Sequence, residues 1–119
     1  MSRGEFRRSQ RVAELLREEL SRMISSELKD PLVTMATVTA IRLTEDLRFA
    51  KVYVSILGNE KEQKNCLRGL ERAKNHLRSE LGGRLRLRHV PELSFFRDDT
   101  VDYAHNIEEL LNRIHDEHD

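Results

Sequence analysis

The chain has 119 residues, with 21 Lys and Arg offset in number by 21 Asp and Glu, so its formal net charge is zero. That length fits one domain, since domains cluster near about 100–150 residues. Charged residues reach 35% against a usual share of about 25%, and hydrophobic residues are 38%, which describes a small globular protein with a strongly hydrated surface rather than a membrane span.

Val12, Leu15, Leu16, Leu20, Met23, Ile24 and Leu28 recur at the three-and-four spacing of one helical face. Ser9 is placed to cap this helix, and Pro31 is expected to end it by forcing Asp30 out of the helical region. Residues 37–43 are rich in β-branched side chains and lead through Thr44-Glu45-Asp46 to a second strand over residues 49–57. In that strand Ala50, Val52, Val54 and Ile56 point one way, and Phe49, Lys51, Tyr53 and Ser55 the other. The short connection predicts an antiparallel hairpin whose apolar row faces the helices.

Asn59 and Glu62 have the spacing of a capping box, so a second helix starts there. Cys66, Leu70 and Ala73 form its inner face, followed by Leu77, Leu81 and Leu85 after the polar stretch Lys74-Asn75-His76. That stretch predicts a kink near Asn75 and two helices at an angle. Gly82-Gly83 weaken the far end. Residues 92–97 read as a third strand, Asp98-Asp99-Thr100 as a capping turn, and Val101, Ala104, Ile107, Leu110, Leu111 and Ile114 as a final amphipathic helix. Three strands with helices on one face make an α+β two-layer sandwich.

The zero net charge conceals an ordered asymmetry. Residues 60–91 carry nine Lys and Arg against four acids, whereas residues 92–119 carry two against nine. Arg3, Arg7, Arg8 and Arg11 add to the basic side near the start. Such separation gives one surface that attracts polyanions and another that repels them.

Catalytic chemistry finds no support in the motifs. Cys66, the only cysteine, lies on the inner stripe of a helix, and a lone thiol builds neither a disulfide framework nor a multi-cysteine zinc site. That usage, together with a basic start followed by no apolar stretch, points to a reducing, cytoplasmic setting. His115 and His118 lack metalloprotease spacing, Asp98-Asp99 precede a helix as caps do, and no glycine-rich phosphate loop occurs. A stacking sheet of the RRM type needs aromatics at fixed strand positions; Phe49, Tyr53, Phe95 and Phe96 are available, without an RNP-like motif. A KH-type loop would need paired glycines, where this chain has Ala73-Lys74-Asn75-His76, so side chains must supply the phosphate contacts.

Several separated motifs, in order, resemble the bacterial ribosome-binding factor A family over about residues 7–111. They are Arg11-Val12-Ala13, Leu28-Lys29-Asp30-Pro31, the hairpin stretch from Asp46 through Ser55, Arg86-Leu87-Arg88, Val90-Pro91-Glu92-Leu93 and Phe95-Phe96. The resemblance implies a type II KH-like sandwich in the order α-β-β-α(kink)α-β-α, with the family's Ala-x-Gly kink falling on Ala73-Lys74-Asn75. Residues 1–119 would form a single domain, with residues 1–8 a basic N-terminal arm and residues 115–119 a frayed tail. It further implies a cytoplasmic, monomeric, non-enzymatic factor that binds the free 30S subunit and 16S rRNA. Such a factor assists late 30S maturation and 5′-end processing and supports growth in the cold, with no cofactor, metal, small-molecule substrate or membrane. The expected RNA-binding residues are Arg7, Arg8, Arg11, Lys74, Asn75, His76, Arg78, Arg84, Arg86 and Arg88. The competing reading is a protein-interaction module that uses the acidic C-terminal helix.

Overall fold

Helix α1 spans Arg3–Arg22, starting well upstream of the expected cap. The structure, a computed structural model, describes residues 3–98, with side chains from Arg7 onward. Ser9 therefore lies inside α1 and is buried rather than capping it, and the stretch expected as an N-terminal arm continues the helix from Arg3. No proline interrupts these residues, and helical propagation adds one backbone bond per residue fixed. Leu16, Leu20, Met23 and Ile24 form the buried stripe.

The helix ends before Pro31. Met23–Glu27 forms a π-helical turn, closed by the Leu28 N–H donating to the Met23 carbonyl at 3.0 Å. The Ser25 and Ser26 hydroxyls both donate to the Arg22 carbonyl, at 3.3 and 2.7 Å, competing with the regular helical ladder where the turn widens. Asp30 then organises the exit: its carboxylate accepts from Leu32 N–H at 3.0 Å, and its carbonyl from Val33 N–H at 3.1 Å.

Strands β1 (Ala36–Leu43) and β2 (Phe49–Ile56) form the expected antiparallel hairpin. The sequence alone gives no sign of the irregularity between Val38 and Ala40, which leaves Thr39 without a partner in the register. A one-residue bulge exchanges the faces of every residue beyond it. Here it lets Val38, Ile41 and Leu43 face the helices while Arg42 turns to solvent, opposite Lys51. The Thr39 hydroxyl, displaced by the bulge, donates to the Asp98 carboxylate.

Helix α2 spans Glu60–Leu85 without a break, so the split into two helices predicted at Asn75 is not present. The reason lies in the spacing: Cys66, Leu70, Ala73, Leu77 and Leu81 step by four, three, four and four, which is one continuous face. Leu77 and Leu81 are fully buried. Each such burial contributes about 2 kcal/mol, against a helix-interior cost for asparagine of about 0.7 kcal/mol. The capping box is as expected: Glu62 N–H donates to Asn59 Oδ1 at 2.9 Å, and Asn59 N–H to Glu62 Oε1 at 3.1 Å. Gly69 is required by close approach, because a Cβ there would stand 2.6 Å from a Val33 methyl.

Strand β3 (Glu92–Arg97) has the expected bounds and pairs parallel to β2, giving a mixed sheet in the order β1-β2-β3 with α2 as the crossover. Ala50, Val52, Val54, Ile56, Leu93 and Phe95 meet the leucines of α1 and α2 in one core, so both helices cover the same sheet face. The expected final helix over residues 101–114, the turn at Asp99 and Thr100, the His115 and His118 pair and the frayed tail lie outside the described residues.

Candidate nucleic-acid interface

Contacts between elements set the free arginines on two adjoining groups of segments, one around the β1–β2 turn and one along the connection from α2 to β3. Arg84, one residue before the end of α2, meets Glu19 of α1 at 3.5 Å and Glu27 of the following turn at 2.8 Å, so the C-terminal ends of α1 and α2 lie together. Arg11 stands eight residues before Glu19, about 12 Å along α1, and Arg7 about 18 Å. A cleft between Ser9, Gln10 and Ala13 of α1 and residues 41–46 sets the N-terminal half of α1 beside the end of β1. Glu92 N–H donates to the Arg48 carbonyl at 2.8 Å, which brings in the β1–β2 turn and the start of β3. Arg7, Arg8, Arg11, Arg48, Arg86 and Arg88 all belong to these segments, are exposed, and have no ion-pair partner among the described residues.

Local geometry presents several of them. Arg86 is the C-cap of α2, in left-handed backbone (φ 52°, ψ 40°), a position that favours glycine. In the β1–β2 turn the Asp46 carboxylate accepts from the Thr44 hydroxyl at 2.7 Å and from Arg48 N–H at 3.1 Å. These bonds, the hydroxyl's first, hold the Asp46 carboxyl below its ordinary range.

Three of the expected RNA contacts are instead committed within the fold. Arg84 reaches Glu27 at 2.8 Å, Glu80 at 3.2 Å and Glu19 at 3.5 Å, joining α2 to α1 and to the π turn. Glu27 foremost, and Glu80 with it, push its guanidinium pKa further up. Arg78 donates to the carbonyls of Pro91 and Val90, both at 3.1 Å, and so anchors the chain entering β3. Lys74 pairs with Glu71 at 2.7 Å. Asn75 and His76 are exposed but lie about 15 Å along α2 from Arg86.

A second group, whose cations the sequence did not single out, lies on the sheet face that no described helix covers. Arg42 and Lys51 are directly opposed there, in the row next to Ala40, Tyr53 and Phe96. Tyr53 and Phe96 stack in a tilted pair with centroids 5.8 Å apart, and Lys51 Nζ lies 6.0 Å from the Phe96 centroid. The alternation of β2 had already put Lys51 and Tyr53 on this face; Arg42 reaches it only through the bulge.

Cys66 is fully buried, with its thiol 3.9 Å from the Val33 carbonyl, and burial pushes its pKa up to about 11. A protonated, enclosed thiol is a poor nucleophile. Among the described residues no group of three or more His, Cys, Asp or Glu side chains could hold a metal ion, and no helix is long and apolar enough to cross a membrane.

Two helices on one face of a three-stranded mixed sheet define an α+β protein, and its uncompensated arginines, around the hairpin turn and after α2, are a candidate surface for a polyanion. A family model described as Ribosome-binding factor A matches residues 8–111, and the chain belongs to that family, whose members are non-enzymatic ribosome-assembly factors. It is similar to the crystal structure of ribosome-binding factor A from Thermus thermophilus, with 32% identity and a TM-score of 0.67, covering 75% of this chain and 94% of the other. A Thermus thermophilus ribosome-binding factor A homology model, fitted into the cryo-EM map of a 30S complex, is 34% identical with a TM-score of 0.62, covering 72% and 90%. The solution structure of a Thermotoga maritima protein of the same description is 34% identical with a TM-score of 0.56, covering 77% and 84%.

Proposed function

We propose that this protein is a small-subunit assembly factor that binds the free 30S particle by holding 16S rRNA phosphates. The observation that carries this reading is the likeness to a relative fitted into a 30S complex, over most of both chains. The free arginines supply the chemistry. Arg7, Arg8 and Arg11 on α1, Arg48 in the hairpin turn, and Arg86 and Arg88 after α2 face solvent from adjoining segments, with Asn75 and His76 extending the surface along α2.

Phosphate contacts of this kind gain affinity from counterion release and carry no base sequence, so the target is recognised by the shape of folded RNA. A KH-like factor acting this way would serve late 30S maturation, including processing at the 5′ end of 16S rRNA. It would do so in the cytoplasm as a monomer without a cofactor, and its loss would be felt most during growth in the cold.

Arg84 is unsuitable for the test, since reversing its charge would place a fourth carboxylate beside Glu19, Glu27 and Glu80. The double change Arg86→Glu and Arg88→Glu leaves those pairs intact. It is expected to abolish co-sedimentation with purified 30S subunits while cooperative thermal unfolding persists. Undiminished co-sedimentation by the folded double variant would overturn the proposed site.

A further inference from the structure

We propose that the sheet face left open by the described helices is a second RNA surface, one that stacks unpaired bases of a single strand on Phe49, Tyr53 and Phe96. The inference rests on the RNA-binding reading above but concerns a different face and a different form of RNA. The helices cover the other side of the sheet, and the residues pointing away from them include two exposed aromatics, Phe49 at 51% and Phe96 at 43%. Phe96 is cross-strand partner to Tyr53, and their rings are in tilted contact. Phe49 stands four residues before Tyr53 on the same strand, about 13 Å away, so the face offers two separate stacking positions.

Between them runs the row Arg42, Lys51 and Ser94. Like charges directly opposed on neighbouring strands destabilise a sheet. Neither Arg42 nor Lys51 has a carboxylate partner among the described residues, so this pair lacks an internal anion. A backbone phosphate placed over the row would relieve the repulsion while its flanking bases stack on either side. Cations tracking the backbone and aromatics carrying the bases are the two components of single-strand recognition. A duplex offers no base faces, so this surface discriminates by strandedness where the free arginines do not.

The full chain is titrated with a short oligouridylate and with an RNA duplex, beside a variant carrying Phe49→Leu, Tyr53→Leu and Phe96→Leu. Leucine retains apolar bulk but has no π-face. The variant is expected to lose about ten-fold or more in single-strand affinity, with duplex affinity unchanged. In wild type the aromatic ring resonances of Phe49, Tyr53 and Phe96 should shift on adding the oligouridylate. Equal single-strand binding by folded wild type and variant would overturn the inference. So would ring resonances that ignore RNA and instead show contacts to residues 101–114, which would make the chain's own acidic segment the occupant. Co-sedimentation with 30S subunits is read in parallel. Its loss in wild type with aromatic-dependent oligouridylate binding intact would reject the 30S reading alone, and the converse would reject the stacking surface alone.

Discussion

Arg84 and Arg86 are two residues apart, and they do opposite things. Arg84 sits among Glu19, Glu27 and Glu80 and fastens α2 to the end of α1. Arg86 caps the same helix in left-handed backbone with its side chain in solvent and no described partner. The contrast extends to their neighbours: Arg78 holds the Val90 and Pro91 carbonyls, whereas Arg88 is exposed without an ion pair among the described residues. A run of basic residues in sequence is therefore two populations in space. One has its charge satisfied by the fold, and the other keeps it for a partner.

Three substitutions sharpen that division. Arg78→Ala strips the donor from two carbonyls at the entrance to β3, and hydrogen bonds from a charged group are worth about 2 kcal/mol. Chemical denaturation should show a loss near that size, with RNA affinity reduced only in proportion to the unfolded fraction. Arg86→Gly moves stability the other way. Glycine adopts left-handed backbone without steric cost, so stability should rise by about 0.5–1 kcal/mol while 30S affinity falls. A variant more stable yet weaker in binding is the signature of a residue kept for its charge.

The smallest effect concerns the turn that presents Arg48. Because hydrogen bonds hold the Asp46 carboxyl below its unfolded range, ionised Asp46 stabilises the fold above that range, and the contribution is lost as pH falls through the lowered value. Denaturation of wild type and Asp46→Asn should differ slightly at neutral pH and converge at the acidic end. A difference that grew on acidification would contradict the assignment.

Much of the architecture was legible because its signals are local. The alternation of residues 49–57, the Asn59 and Glu62 capping box and the bounds of β3 follow from spacing and turn chemistry alone. The errors have equally particular causes. Ser9 has the chemistry of a cap, but nothing upstream of it stops a helix. Asn75 and its polar neighbours look like a break only if the step from Ala73 to Leu77 is read apart from the stripe that contains it. The bulge at Thr39 depends on which residues of β1 the core accepts, a tertiary condition invisible in a short window.

The candidate site was legible in part. Charge order along the chain singled out the α2–β3 connection, and Arg86 and Arg88 are indeed exposed there. It could not tell them from Arg84, because Glu19 and Glu27 lie some sixty residues away in sequence and meet it only after folding. The aromatic and cationic face of the sheet was half visible: alternation placed Phe49, Lys51 and Tyr53 together, but pairing with Phe96 and Arg42 required the register.

The division between satisfied and available arginines is tested most directly by the salt dependence of 30S binding, measured for wild type, for Arg84→Ala and for the double variant Arg86→Ala and Arg88→Ala. Each lost phosphate contact lowers the log–log slope by about 0.7–0.9. The double variant should therefore flatten the slope by about 1.4–1.8, while Arg84→Ala, corrected for any unfolded fraction, keeps the wild-type slope. A flattened slope for Arg84→Ala and an unchanged one for the double variant would contradict the account.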